Sequence, residues 1–444
     1  MFAKVLLVLT AVFSLVSGCQ CGHDDPEDIT YEQVAILYSA GVNNLAKYLD
    51  EDIDCIKEGY LPKQNEKKVF LIVSHLPVIQ KTKKVINGKE TIERTVISGK
   101  ETYPKLWRLY RNGKNEIVAD TIKTYPSAHL ADPATMKTVL QDIQRLFKSD
   151  HYGMVLSSHA SGWLPSGYYE HPEYFEPHYS AGRKAVPSVF VFPDGSFYHE
   201  ERELLPGEPL TKSVTMHKPE SVATELELLD FKDAIPMHLD YLLFDACLMG
   251  CIEVAYELKD VCDQIGFSQT EILADGFNYK NLVGLLLERP QPDIRAVVDD
   301  YFQQYADKAD KSDRAATISL IDCTKLEPVA EICRTLFLKY ATGLEELDPY
   351  VVQRYYRYQK HWFYDLEDVL VHAGMDDAEH NSLKSALNGC VLYKAATEEF
   401  LKGYGGFTIR TYCGFSMYLP SMGSSFLDSH YKDLAWNKAT GLVD

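Results

Sequence analysis

Residues 241–250 read Tyr-Leu-Leu-Phe-Asp-Ala-Cys-Leu-Met-Gly, a short apolar run that leads to a cysteine and then to further apolar residues. The run fits a buried β-strand, and the apolar spacing after it fits one face of a helix over residues 248–259. Residues 153–158 form a second apolar run, which ends at His159. Strands that alternate with helices predict an α/β fold with a largely parallel central sheet.

The same alternation continues along the rest of the chain. Further apolar runs predict strands at residues 33–38, 69–73, 266–268, 317–322 and 414–419. Residues 106–125 fit a hairpin that turns at Asn112-Gly113, a strong turn signal. Helical spacing predicts helices at residues 44–56 and 365–372, and another that begins after the N-cap Asp132.

The composition limits the partners that this protein can have. The chain has 444 residues with 45 Lys and Arg against 64 Asp and Glu, a formal net charge of −19. Such a charge disfavours nucleic acid as a partner, because binding to phosphates requires a basic surface. An acidic surface attracts cationic segments of other proteins, so basic peptides are the expected partners.

The N-terminal residues have the pattern of a secretory signal. Residues 1–18 contain one lysine, an apolar run too short to span a bilayer, and small residues before Cys19. Residues 16–19 resemble the lipobox of bacterial lipoproteins, which implies that Cys19 becomes the lipidated N-terminus and residues 19–30 a tether. An ordinary signal peptide that ends at a cysteine is the alternative. We expect secretion across the inner membrane and an envelope lipoprotein, on the outer membrane or cell surface if the host is Gram-negative, with membrane contact through the lipid alone.

The ten cysteines do not form a recognisable framework. They are scattered over a long chain, and none of those outside the motifs lies at the spacing of a zinc site. Most are therefore expected to be buried thiols, with one or two disulfides left open, and no metal site is predicted. A zinc hydrolase is poorly supported for the same reason.

His159 and Cys247 are the candidate catalytic pair. Side chains that follow the carboxyl ends of neighbouring strands meet at one edge of an α/β sheet. A cysteine at a helix N-terminus favours the thiolate, and an imidazole beside it can act as base. Backbone amides near Ala160 and Cys247 are candidates to hold an oxyanion. From the pattern alone, a core cysteine and a structural histidine remain the commoner interpretation.

Two motifs resemble those of clostripain-like cysteine peptidases. These are residues 159–163 (His-Ala-Ser-Gly-Trp) and residues 245–250 (Asp-Ala-Cys-Leu-Met-Gly), the latter followed by 253–258 (Glu-Val-Ala-Tyr-Glu-Leu). The resemblance implies a caspase-like α/β/α sandwich with a mostly parallel central sheet and a C-terminal extension. It implies a peptidase domain at residues 31–340, a C-terminal subdomain at 341–444 that returns a strand to the core, and a Cys/His dyad at Cys247 and His159.

The resemblance also implies cleavage after arginine or lysine. Asp245 matches the family's pocket aspartate, and Asp275 matches a second acidic position of the family. The alternatives are a structural carboxylate for Asp245 and an ordinary Asp-Gly turn for Asp275. Two positions depart from the family pattern: Ala160 replaces a glycine, and Phe277 replaces a tryptophan.

Residues 164–238, between the two motifs, are expected to form an activation loop. Family members are often activated by cutting themselves after a basic residue in this place, and the candidates here are Arg183, Lys184, Arg202, Lys212 and Lys218. No cofactor is required by this chemistry. Calcium is a possible activator by resemblance to clostripain, although no compact EF-hand loop is present.

Two functions of different classes remain from the sequence. The first is a secreted, self-processed endopeptidase that cuts after Arg or Lys through a thioester acyl-enzyme. The second is a catalytically silent caspase-like module that binds peptides or proteins at the cell surface. The presence of both Cys247 and His159 favours the first.

Overall fold

Most of the predicted strands assemble into one large sheet. The computed structural model describes residues 29–41, 43–86, 88–126, 128–169, 172–175, 207–212, 226–310, 313–358 and 360–444. The strands are β1 (Gln33–Ala40), β2 (Lys68–His75), β3 (Val78–Ile86), β4 (Lys89–Ile97), β5 (Lys105–Arg111), β6 (Ile117–Thr124), β7 (Tyr152–Ser157), β8 (Leu239–Asp245), β9 (Cys262–Phe267), β10 (Thr317–Asp322), β11 (Tyr364–Asp365), β12 (Val391–Ala396), β13 (Glu399–Phe400), β14 (Phe407–Thr408) and β15 (Ser416–Met417).

Thirteen α-helices are present in the described part of the chain, together with a π-helical turn at Gly284–Glu288. They are α1 (Ala46–Glu58), α2 (Pro133–Leu146), α3 (Pro172–Phe175), α4 (Leu228–Ala234), α5 (Ile252–Glu257), α6 (Tyr279–Val283), α7 (Ile294–Ala306), α8 (Glu327–Lys339), α9 (Ala341–Glu346), α10 (Leu366–His372), α11 (Asp377–Cys390), α12 (Ser425–Tyr431) and α13 (Ala435–Thr440).

The central sheet has nine strands in the order β12-β10-β9-β8-β7-β1-β2-β5-β6. Its middle strands, β9, β8, β7, β1 and β2, are all parallel to one another. The outer strands on both sides pair antiparallel. The expected mostly parallel sheet is therefore confirmed.

Helices cover the sheet because its middle strands are apolar on both faces. Every residue of β1 except Ala40 is buried, and β2 is buried over most of its length. Continuous burial of this kind is typical of parallel strands that lie between two helical layers. The helices pack in two groups. In one group α1 contacts α6. In the other, α2 contacts α4, α4 contacts α5, and α13 contacts both α5 and α8. This arrangement is the α/β/α sandwich that the resemblance implied.

Local signals in the sequence account for several elements. The Asp132 side chain accepts a hydrogen bond from the Thr135 amide at 2.8 Å and caps α2, as predicted. The hairpin of β5 and β6 turns at the predicted Asn112-Gly113. A second hairpin, β3–β4, was not predicted, although Asn87-Gly88 stands between its strands and is the same turn signal.

The C-terminal part joins the core differently from the expectation. It adds β12 to the edge of the central sheet, whereas the predicted strand at residues 414–419 contains only the short β15. β15 pairs with β11, and its Ser416 bridges to Cys251 just after the cysteine motif. The strand stays short: it pairs with the two residues of β11 on one side, and the Ser416 amide donates to the carbonyl oxygen of Gly250 in the turn after β8.

The eight cysteines in the described part of the chain are free thiols, and all but Cys55 are buried. Cys262 and Cys323 come closest, with their sulfur atoms 3.9 Å apart. Within the described ranges, no helix has both the length and the apolar character that a membrane span needs.

Candidate active site

The predicted nucleophile and base follow two neighbouring strands. β7 and β8 run parallel, and their register pairs Ser157 with Asp245. His159 and Cys247 come just after this pair, each at the carboxyl end of its strand. The expectation that the two motifs leave the sheet at one edge is confirmed. Residues far apart in the sequence thus reach one side of the molecule.

His159 has a hydrogen-bond partner at each ring nitrogen. Nδ1 lies 2.9 Å from the carbonyl oxygen of Lys212, and Nε2 lies 2.7 Å from Oδ1 of Asn44. A carbonyl oxygen only accepts hydrogen bonds, so Nδ1 carries a proton in this state. The side-chain amide of Asn44 faces the other ring nitrogen. Asn44 therefore orients the imidazole, a role that the sequence reasoning did not assign.

Cys247 is buried, with its sulfur against the backbone of Ile272. The Ile272 amide donates to Sγ at 3.0 Å. Burial raises the pKa of the Cys247 thiol well above its ordinary value, and the nearby Glu271 carboxylate raises it further. The Ile272 amide and the Lys212 ammonium act in the opposite direction. In this state the thiol keeps its proton.

The turn that carries Cys247 is not the start of a helix. The sequence predicted a helix over residues 248–259, but α5 begins only at Ile252. Leu248 and Gly250 donate their amides to carbonyls of the segment after β9, at 3.0 and 2.7 Å, and so they do not enter a helical ladder. Leu248 also has φ of 61°, in the left-handed region. The predicted helix start was wrong, so the thiol lacks the expected place at a helix N-terminus.

A lysine of the chain itself occupies an acidic pocket at this site. Lys212 is fully buried, and its ammonium lies 2.5 Å from Oδ2 of Asp245 and 3.0 Å from Oγ of Ser157. Oδ2 of Asp52, on α1, lies 3.9 Å from the same nitrogen. The Tyr279 hydroxyl donates to Asp245 at 2.5 Å. Burial opposes the charge on Lys212, but the two carboxylates outweigh it and raise the pKa of this lysine.

The backbone before Lys212 lies along the segment after β9 as an added strand. The Lys212 amide donates to Ile272 O at 2.6 Å, and the Ala274 amide donates to Leu210 O at 2.8 Å. Thr211 forms the antiparallel bridge between these two bonds. The Leu210 side chain packs against a small apolar cluster of Leu45, Leu49 and Ala274. This is how proteins bind an extended peptide along a sheet edge.

Asp275 was predicted as the second carboxylate of the pocket, but the second carboxylate that faces the Lys212 ammonium is Asp52. Asp275 has an exposed side chain, whereas the buried Asp52 faces the lysine ammonium. Gly276 closes the pocket, because a Cβ on it would lie 2.5 Å from Oδ2 of Asp245. Phe277, which replaces the family's tryptophan, is buried behind this turn. The substrate-binding role of Asp275 stays a prediction.

The predicted oxyanion amides belong to Ala160 and Cys247. The turn after Ala160 lies against the turn after Cys247, because a Cβ on Gly162 would come within 2.7 Å of Leu248 O. Gly162 also has φ of 69°, a conformation that favours glycine. The two amides therefore belong to adjoining turns, and their role stays a prediction.

Several predicted residues lie outside the described part of the chain. These are the lipidation site Cys19 and the loop residues Arg183, Lys184, Arg202 and Lys218. Of the basic residues proposed for loop cleavage, Lys212 is the one that the structure describes.

Comparison with known proteins identifies the family. Residues 37–173 and 195–440 match the sequence profile of the clostripain family. The chain belongs to the clostripain family of cysteine peptidases. This match covers both motifs and the Lys212 segment, and it breaks within the predicted activation loop. A search of curated proteins found no significant match.

Solved structures of clostripain-family proteases share the fold. An inactive zymogen protease from Parabacteroides distasonis has 24% identity and a TM-score of 0.66, with 93% of this chain and 99% of that chain covered. A secreted cysteine protease from Bacteroides thetaiotaomicron has 21% identity and a TM-score of 0.68, with 93% and 100% covered. A structure from the same organism in complex with an irreversible peptide inhibitor has 22% identity and a TM-score of 0.66, with 92% and 98% covered.

In this clostripain-family chain, no metal-binding cluster is found among the described residues. No group of three or more His, Cys, Asp or Glu side chains in these ranges is arranged to hold an ion.

Proposed function

We propose that this protein is a cysteine endopeptidase for bonds that follow lysine or arginine, made as a precursor that cuts its own chain after Lys212. The observation that carries the proposal is the placement of Lys212 itself. Its buried ammonium lies on Asp245 and its carbonyl oxygen lies at His159. Its backbone pairs with the segment after β9 as a bound peptide would.

In the proposed reaction, Cys247 is the nucleophile and His159 the base. The imidazole takes the thiol proton, and Sγ forms a bond to the carbonyl carbon of Lys212. The carbonyl oxygen becomes an oxyanion, which the amides of Ala160 and Cys247 stabilise. The carbon–nitrogen bond then breaks, and His159 returns the proton to the amine of Ser213. Water hydrolyses the resulting thioester by the same proton path and releases the Lys212 carboxylate.

The described state has the features of a precursor before the cut. The thiol is protonated, because burial raises the pKa of Cys247. Nδ1 of His159 donates to the Lys212 carbonyl oxygen, so that nitrogen cannot accept the thiol proton. This oxygen has to leave His159 for the oxyanion amides before the reaction begins. The likeness to a solved inactive zymogen supports the same interpretation.

The proposal predicts a defined cut between Lys212 and Ser213. Purified wild-type protein should yield a fragment that ends at Lys212 and another that begins at Ser213, as measured by intact mass spectrometry. Cys247→Ala should remain uncut, because it lacks the sulfur nucleophile. Lys212→Arg should still be cut, whereas Lys212→Ala should lose the cut at this bond, because a methyl group leaves the acidic pocket unfilled. A Cys247→Ala sample that is cut at the same bond would show that another protease does the processing.

The same samples separate the enzyme from the silent binding module. After processing, the wild-type protein should hydrolyse fluorogenic peptides that end in lysine or arginine, and Cys247→Ala should not. Binding of these peptides without hydrolysis by the processed wild-type protein would favour the silent module.

Lipidation, location and calcium stimulation remain part of the proposal. Residues 16–19 support a lipid anchor at Cys19 on an envelope lipoprotein, and one relative is described as secreted. The mass of the mature N-terminal fragment reports the acyl chains directly. Calcium stimulation should appear as a gain in peptide hydrolysis after chelator-treated enzyme is resupplied with the ion.

A further inference from the structure

The segment that ends at Lys212 (the bound segment, residues 207–212) makes a second buried ionic contact. Glu208 lies four residues before Lys212, and its side chain is fully buried against Arg357. Nη1 of Arg357 donates to Oε1 of Glu208 at 2.7 Å. The hydroxyl of Tyr358 lies 3.3 Å from the same oxygen.

A carboxylate at this place needs the guanidinium. Removing an ionised side chain from water is unfavourable unless a charged, hydrogen-bonded partner compensates. Arg357 is itself 5% exposed and is fixed on its other side by Glu271, whose Oε2 accepts from Nε at 2.5 Å. One end of the guanidinium is thus held by the enzyme and the other end points to the bound segment.

The backbone around Arg357 is shaped for this contact. Tyr358 has φ of 55°, a left-handed conformation that costs free energy in a residue other than glycine. Gly405 packs against the Tyr358 ring, where a Cβ would lie 2.5 Å from the nearest ring carbon. The Arg357 Nη1 also donates to Tyr404 O at 3.1 Å. Strain of this kind persists where the surrounding structure holds it, and here it accompanies a site for a carboxylate.

We propose that Arg357, with Tyr358, forms a substrate subsite that recognises an acidic side chain four residues before the lysine that is cut. In the precursor, Glu208 of the chain's own segment fills this Arg357 subsite. Once the segment leaves, Nη1 of Arg357 loses the Glu208 carboxylate, and the acidic residue of a protein substrate takes its place. This inference rests on the proposed peptidase function and extends its substrate class.

The test uses processed wild-type enzyme and three matched fluorogenic peptides. Each has the sequence Xaa-Pro-Leu-Thr-Lys, which copies residues 208–212, with Glu, Gln or Lys at the first position. A charge-assisted hydrogen bond is stronger than a neutral one, so kcat/KM should fall about tenfold from Glu to Gln and further for Lys. Equal kcat/KM for the three peptides would overturn the Arg357 subsite and leave the peptidase proposal standing. If the enzyme cuts none of the three peptides and does not cut the shorter Leu-Thr-Lys peptide either, the peptidase proposal and the Arg357 subsite are both overturned.

An arginine variant gives a second readout. Arg357→Lys keeps a positive charge but loses the planar fork that reaches Glu208 and Glu271 together. The ratio of kcat/KM for the Glu and Gln peptides should fall to about twofold, and a general loss of activity cancels in this ratio. Arg354→Lys, in the same segment, is the matched control and should keep the wild-type ratio. An unchanged ratio in Arg357→Lys would overturn the subsite.

Discussion

Two carboxylates, those of Asp52 and Asp245, share the lysine pocket, and single residues around Asp52 set its pKa. Burial raises the pKa of Asp52, and the neighbouring Asp245 raises it further, whereas the ammonium of Lys212 lowers it. The pKa of Asp52 should therefore be higher when no lysine is bound, so that a substrate lysine displaces a proton from the pocket. Proton release on binding means that affinity rises with pH through the titration of Asp52.

This coupling predicts the pH dependence of KM. In the processed wild-type enzyme, KM for a lysine peptide should fall as pH rises through the Asp52 titration. Asp52→Asn should flatten this dependence and raise KM about tenfold at high pH, since the variant lacks the second negative charge. Asp275→Asn, measured in parallel, should have a smaller effect because that side chain is exposed. A larger loss in Asp275→Asn would restore Asp275 as the second pocket carboxylate.

At the scale of elements, the turn between β8 and α5 positions Cys247. Gly250 lies so close to the segment after β9 that a Cβ would stand 2.6 Å from the Gln269 amide nitrogen. That contact is with backbone, which cannot move aside as a flexible side chain can. The turn therefore depends on glycine for close approach rather than for a positive φ.

Gly250→Ala should thus destabilise the protein and displace Cys247. We expect a loss of about 2 kcal/mol in the free energy of unfolding, typical of overpacking. Thermal melts in the Cys247→Ala background avoid self-cleavage. Gly389→Ala is the matched control, because Gly389 lies in α11 with nothing within 4 Å of a Cβ, and alanine should raise stability there by up to about 1 kcal/mol. Equal melting temperatures for the two variants would contradict this account of the turn.

At the scale of the whole molecule, a buried glutamate connects the cysteine motif to the C-terminal part. Glu253 in α5 accepts hydrogen bonds from the Tyr418 amide at 2.8 Å and from the Tyr431 hydroxyl at 2.7 Å. Burial raises the pKa of Glu253 to about 7, although both hydrogen bonds lower it. A carboxyl whose pKa is higher in the folded state binds its proton more tightly there. Its contribution to stability is therefore full below about pH 4.5 and is lost as pH rises to about 7.

Glu253→Gln should remove this pH dependence, because glutamine stays neutral and can still accept both hydrogen bonds. The stability of the variant relative to wild type should rise between about pH 4.5 and 7 by roughly 3 kcal/mol, at about 1.4 kcal/mol per pH unit. Denaturant unfolding of both proteins in the Cys247→Ala background measures the difference. Glu345→Gln, at an exposed position of α9, serves as the control. Parallel stability curves for Glu253→Gln and wild type would contradict the prediction.

The turn that carries Cys247 was harder to predict than the strands, because its hydrogen-bond partners lie in another segment of the chain. The apolar period over residues 248–259 fits a helix, yet the amides of Leu248 and Gly250 bond to a segment that the sequence places some twenty residues later. An apolar period indicates which residues are buried, but it does not show that a helix buries them. Here the first of these residues are buried in a turn that bonds to the segment after β9. Asn44 and Asp52 were missed similarly, because they lie just before and within α1, far in the sequence from the His159 and Lys212 that they meet.

The parallel α/β sheet and the family could be read from the sequence, because apolar period and motif residues are properties of short stretches of chain, and the same motifs predict the pair His159 and Cys247. Only the folded chain shows which lysine enters the pocket, which second carboxylate faces it, and that Arg357 meets Glu208. Those contacts join segments from distant parts of the chain. Their partners are chosen by the packing of the whole fold, which no local pattern encodes.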